Sequence, residues 1–220
     1  VFGPVTGGAE EAKVRRRLGV QRKSAGRAEI LAAARSIGVE LGWQGVTIRA
    51  VAERVGYTSP LLYEHFRDKR ELLTELAVEG QMALAAEIAR ELPAEPFAAI
   101  LAMAERYWGF VMGNRQVYRL MNGVGGVVID AERVTEVARR SFAVAMEIVG
   151  SWLSGVGGSD SEAEVLVEDL WAVLHGMALL HLDRGAAFDA GRARGCVAKI
   201  LRGMELESRP THGLPQGQAK

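Results

Sequence analysis

A chain of 220 residues with 49% apolar and 25% charged side chains has the make-up of an ordinary folded protein, which excludes collagen-like and intrinsically disordered classes. Its lone cysteine, Cys196, excludes an intrachain disulfide framework. The sequence holds no uninterrupted apolar run of 18 or more residues and no apolar stretch near its start, so a cytoplasmic protein with no membrane partner is expected.

Formal net charge is zero, but it is segregated. Lys13, Arg15, Arg16, Arg17, Arg22 and Lys23 outweigh Glu10 and Glu11, leaving residues 1–23 at +4 and the remainder at −4. Such a basic, disordered arm either touches phosphates or a minor groove, or is a solvated tail. From Ala25 to Leu41 the residues Ile30, Leu31, Ala34, Ile37 and Leu41 form one apolar stripe of a helix closed by Gly42. Thr47 then offers an N-cap to a short helix with Ile48, Val51, Ala52 and Val55 on one face, stopped by Gly56. Thr58 can cap a third helix with Pro60 in its first turn, where a missing N–H costs nothing, and with Leu62 and Phe66 facing inward. It should end near Phe66.

Asp68 and Glu71 have the spacing of a capping box, and Leu72, Leu73, Leu76 and Ala77 continue as a fourth helix towards Glu91, before Pro93 and Pro96 break the chain. Further helices are expected over Phe97–Gly113, around Val117–Met121, over Asp130–Leu153, Ser161–His181 and Asp189–Leu206, with glycine-rich links at Gly123–Gly126 and Ser154–Asp160. No alternation of period two and no internal repeat occurs. The expected fold is all-α, divided into the arm (1–23), a three-helix domain (24–73), a larger helical domain (74–207) and a disordered tail (208–220), of which the resemblance given below implies that the second binds DNA and the third binds a ligand and dimerises.

Three short helices with a glycine turn between the second and third can present one helix to a major groove, but many such units are simply core. The run VTIRAVAERVGYTSPLLYEHFRDKRELL carries more: it closely resembles the helix-turn-helix of the tetracycline repressor family, without a gap, through Thr47, Arg49, Ala52, Gly56, Pro60, Leu62, Tyr63, His65, Lys69, Leu72 and Leu73. WAVLHG, Trp171 to Gly176, also looks like the Trp-His-Gly signature of one branch. The resemblance implies a bacterial transcription regulator, usually a repressor, that binds double-stranded operator DNA as a homodimer and responds to a small molecule.

Carried over by position, Thr47 meets a phosphate at a helix N-terminus, Arg49 makes a bidentate contact to guanine or a phosphate contact, and Tyr63, His65 and Lys69 hold the DNA backbone. Thr58, Ser59, Pro60 and Leu61 occupy the first turn of the reading helix. Pro60 and Leu61 lack side-chain donors, so thymine methyl groups are their expected contacts. The tetracycline repressor has threonine and tryptophan where Leu61 and Glu64 stand, so the same operator is not implied.

In the body, the resemblance implies that the last two long helices form the dimer interface, with Leu166, Leu170, Val173, Leu174 and Met177 as a suitable apolar face. Trp108, Met112, Tyr118, Met121, Phe142, Trp171 and His175 are candidates to line a ligand pocket, although each suits an ordinary core as well. The Gly123–Gly126 loop could gate access to it, or merely break a helix. The absence of a charge cluster favours a hydrophobic or aromatic effector. No GxSxG elbow, phosphate loop or HExxH is present, and His175 and His181 are six residues apart, so neither catalysis nor a metal or other cofactor is expected. The alternatives are a DNA-binding dimer without an effector and, further off, a helical enzyme.

Overall fold

The computed structural model describes residues 26–184 and 188–207; the basic arm and the tail lie outside the described residues. Among those residues the structure is helical without a strand. The helices are α1 (26–41), α2 (Ile48–Val55), α3 (Ser59–Tyr63), α4 (Lys69–Ala89), α5 (Pro96–Gly113), α6 (Arg115–Met121), α7 (Ala131–Val156), α8 (Asp160–Arg184) and α9 (Ala190–Glu207). Each expected helix is present. α3 stops three residues short of the expected end, at Tyr63; His65 and Phe66 still donate to the Leu62 carbonyl at 2.9 Å, so a tight turn carries the chain on.

The chain forms two compact units, one holding residues up to Gly80 together with 116–134, the other Gln81–Arg115 and the residues from Thr135 onward. The first unit therefore gathers α1 to α3 and the start of α4 with α6 and the loop behind it. Its core is Ile30, Ala34 and Ile37 from α1, Val51 and Ala52 from α2, Leu62 and Phe66 around α3, and Leu72, Leu73 and Leu76 from α4, all buried. α6 crosses α4 at Gly80, where an added Cβ would lie 2.6 Å from Val117 and 2.7 Å from the Met121 sulfur.

Trp43, between α1 and α2, is 2% exposed and is the largest side chain of this core. Its indole N–H donates to the Gln116 carbonyl at 2.7 Å, which satisfies the one polar group it brings inside. Two glycines make room for the ring: a Cβ on Gly38 would sit 2.2 Å from it and one on Gly125 2.8 Å. The Gly123–Gly126 loop thus does more than end α6. It lies against the corner that joins α1 to α2, where the Gln44 amide also donates to the Gly126 carbonyl at 3.4 Å.

Charged residues tie the same unit together. Arg27 donates to the His65 carbonyl at 2.8 Å, lies 4.2 Å over the Phe66 ring and pairs with Glu75 at 3.3 Å. Glu75, on α4, also pairs with Arg133 at the start of α7. The Asp130 N–H donates to the Thr74 hydroxyl at 2.9 Å, so the residue that caps α7 is fixed to α4 as well.

In the second unit, α5 packs along α9 and also against α8. Glu95 caps α5 by accepting from the Phe97 and Ala98 N–H groups, with Pro96 in the first helical position. Ile100, Ala104, Trp108 and Val111 of α5 are buried, as are Ala193, Val197 and Leu201 of α9.

α8 overturns one expectation. Leu166, Leu170 and Leu174, assigned above to a dimer face, are 2%, 7% and 7% exposed and belong to this chain's own core, with Val173 and Met177 half-buried. Val165, Trp171 and Leu180, spread around the rest of the helix, are 59%, 53% and 42% exposed. Apolar residues surround α8, so periodicity could not choose between its faces. By length and composition alone α8 would also pass for a membrane span, with 28% of its apolar window buried.

Candidate nucleic-acid interface

The α2–turn–α3 unit is built by local chemistry. The Thr47 hydroxyl accepts from the Ala50 N–H at 3.0 Å, capping α2 and leaving its own proton free to donate outward. Gly56 ends α2 with φ +72°, a left-handed conformation that glycine adopts without strain, and the next N–H, of Tyr57, returns to the Ala52 carbonyl at 2.9 Å. Thr58 stands at the N-cap of α3, but its side chain makes no capping bond, contrary to the sequence expectation. The exposed hydroxyl remains available to another acceptor.

Hydrogen bonds brace this unit from behind. Arg54 engages Glu40 through both Nη atoms, at 3.0 and 2.9 Å, and Ser36 at 3.0 Å, fastening α2 to α1. The Tyr57 hydroxyl donates to Glu29 at 2.8 Å, fixing the turn to α1; that bond raises the phenol's pKa. Arg54 and Ser36 together hold the Glu40 carboxyl at about 2, below its ordinary 4.5. A depressed folded-state pKa contributes stability that is present above the ordinary value and lost as pH falls towards the folded one. The melting-temperature gap between wild type and Glu40→Gln should therefore be widest near about pH 6 and close as pH falls to about 2. A gap independent of pH would contradict the brace.

The residues singled out for DNA contact lie on α2 and α3, at their N-caps Thr47 and Thr58, at His65 in the turn after α3 and at Lys69 in the first turn of α4. Thr47, Arg49, Thr58, Pro60 and Tyr63 are exposed; Ser59, Leu61, His65 and Lys69 are half-buried. Tyr63, at 55% exposure, is free of the core. The Lys69 ammonium donates to the Gln44 carbonyl at 3.1 Å, and its partial burial lowers its pKa. That bond steers the side chain and leaves it further protons to donate. His65 is less open: its ring packs on α1, where a Cβ on Gly26 would be 3.3 Å away, and its Nδ1 has no partner among the described residues. Sequence reasoning missed Glu29, Ser36, Glu40 and Arg54, because no pattern along a chain reports which distant carboxylate an arginine will meet.

The ligand-pocket candidates fall in different units. Trp108, Met112, Phe142, Trp171 and His175 are in the second, whereas Tyr118 and Met121 sit on α6 in the first. Trp171 stacks on His175 with ring centroids 5.0 Å apart, and His181 meets Trp108 edge-on at 5.7 Å. Partial burial lowers the His175 pKa.

A family description, Bacterial regulatory proteins, tetR family, matches residues 30–76, and a second, Tetracyclin repressor-like, C-terminal domain, matches residues 100–204. The chain belongs to the tetR family. Its head and body each match the corresponding part of that family, which makes it a helix-turn-helix transcription regulator and not an enzyme. The HTH-type transcriptional repressor AcnR of Corynebacterium diphtheriae is 36% identical over 81 residues, 37% of this chain and 43% of that protein. A class A tetracycline repressor protein of Escherichia coli is 37% identical over 81 residues, 36% of this chain and 32% of the repressor. In sequence, the tetR-family chain thus spans under half the length of these relatives. A Rhodococcus sp. RHA1 protein of unknown function superposes with a TM-score of 0.70 at 26% identity, over 80% of this chain and 94% of that one.

Proposed function

We propose that this tetR-family regulator is a homodimeric repressor that reads a palindromic operator with α2 and α3 and is released from it by a small hydrophobic or aromatic effector bound in the body. The observation that carries the DNA reading is the outward row of Thr47, Arg49, Thr58, Pro60 and Tyr63, all exposed on a unit braced from behind. Thr47, Thr58, Tyr63, His65 and Lys69 supply backbone-positioning contacts, Arg49 a base contact, and Ser59, Pro60 and Leu61 the groove-facing turn of α3. The AcnR and tetracycline repressor names support repression as the output. A repressor of this kind works in the cytoplasm, beside its DNA.

The exposed apolar side chains of α8 support the homodimer. Val165, Trp171 and Leu180 are large apolar groups left open in a single chain, and a second copy would cover them. A two-fold pair sets its reading helices about 34 Å apart, which is why the operator is expected to be palindromic. An apolar effector fits the body's composition: Gln81 is the one buried polar or charged side chain of the second unit among the described residues. Trp108, Met112 and Phe142, all in the second unit, are the residues we assign to the effector's surroundings. A hundredfold release of operator needs the effector to favour one conformation by about 2.7 kcal/mol.

The test is a fluorescence-anisotropy titration of an operator duplex, selected from random sequence, with wild type and with the Arg49→Ala, Tyr63→Ala double variant. The double variant should bind at least about a hundredfold more weakly, since it loses a base contact worth about 1–3 kcal/mol together with a phosphate anchor. Equal binding by the two proteins would remove α2 and α3 from the interface.

A further inference from the structure

Arg49 and Arg54 share α2 but spend their guanidinium groups differently. Arg54 commits both Nη atoms to Glu40 and Ser36. Arg49 is held only at Nε, by the Glu53 carboxylate one turn along the helix at 2.8 Å, and the two side chains are 85% and 65% exposed. Neither side chain has another ion pair or side-chain hydrogen bond among the described residues. Guanine presents two acceptors, N7 and O6, which the two Nη groups of an arginine can meet end-on. A carboxylate on Nε leaves that double edge free and restricts the rotation of the long side chain behind it.

We propose that Glu53 is a positioning residue for base reading: it holds Arg49 by Nε so that the paired Nη groups face the groove before DNA arrives. This rests on the reading of Arg49 as a base contact and adds a specificity determinant to it. The same carboxylate repels phosphates, so it lowers affinity for any duplex while sharpening the choice among duplexes. Those two effects have opposite signs, and a merely structural residue would not produce both.

The experiment is a cycle of four proteins, wild type, Arg49→Ala, Glu53→Ala and the double variant, titrated against the selected operator, each of its single-base variants and a scrambled duplex. Alanine is the best helix former, so α2 keeps its backbone. Arg49→Ala should lose discrimination at one guanine of each half-site. Glu53→Ala should lose about three- to fivefold of discrimination at that same guanine and nowhere else, in keeping with a solvent-exposed pair and a partly ordered side chain. It should also bind the scrambled duplex more tightly, and in the Arg49→Ala background it should leave discrimination unchanged. If Arg49→Ala loses discrimination and Glu53→Ala does not, the positioning role is overturned while the base contact stands. If Arg49→Ala loses none at any position, the base contact fails and the role of Glu53 fails with it.

Discussion

Replacing Gly38 with alanine should destabilise the protein, although the same change in the interior of an exposed helix ordinarily stabilises by about 1 kcal/mol. The reason is steric. The new Cβ would lie 2.2 Å from one atom of the Trp43 ring and 2.4 Å from another, closer than any real contact allows. The ring cannot retreat freely, because its N–H is bonded to the Gln116 carbonyl and Gly125 closes on its other edge. Overpacking a buried aromatic costs about 1–3 kcal/mol, which exceeds the propensity gain towards the upper end of that range. Trp43→Ala should cost more, about 3–5 kcal/mol, by opening a cavity in the middle of the first unit. Urea denaturation of the full chain checks both. If Gly38→Ala raises the midpoint, the packing of Trp43 is not as described; if it lowers the midpoint and Trp43→Phe in the same chain restores part of the loss, the clash is the cause.

Replacing Trp171 with glutamate should turn the dimer into a monomer and weaken operator binding by about 10²-fold or more, since each half-site is then held without the second reading head. The helical body itself should survive, because Trp171 is 53% exposed and its ring stacks on His175 of the same helix. A charge placed there meets no core, but it does meet whatever covers Trp171. Analytical ultracentrifugation and far-UV circular dichroism separate the two effects. A variant that stays dimeric, or a wild type that is monomeric at the concentrations used for DNA binding, would rule out this face as the dimer contact.

The head was legible because its instructions are local. The Thr47 cap, the Gly56 stop and Pro60 in the first turn of α3 each act within a few residues, and all three stand where the sequence places them. Thr58 shows the limit of that logic: it occupies the cap position without making the capping bond, because position in sequence does not fix a side chain's rotamer. α8 was harder. Leu166, Leu170 and Leu174 form a proper helical stripe, but Val165, Trp171 and Leu180 put large apolar groups elsewhere around the same helix, and only tertiary packing decides which ones the chain buries for itself.

Trp43 was unreadable for a different reason. Its partners, Gly38, Gln116 and Gly125, include two more than seventy residues away, and the glycines serve it by lacking a side chain, which leaves no mark in a hydrophobic pattern. The Gly123–Gly126 loop looked like a helix breaker on that account. Its contact with Trp43 and Gln44 places it in the same compact unit as α2 and α3, so a change in the loop is felt directly at the corner from which α2 departs.

The central claim, that α2 and α3 read a palindromic operator, is tested most directly by titrating the wild-type chain against the selected duplex and a scrambled one of equal length at two salt concentrations. The account predicts specific binding at least about 10³-fold tighter than to the scrambled duplex, two chains per site, and affinity that falls steeply with added salt as phosphate contacts release counterions. Equal affinity for both duplexes, or binding indifferent to salt, would contradict it.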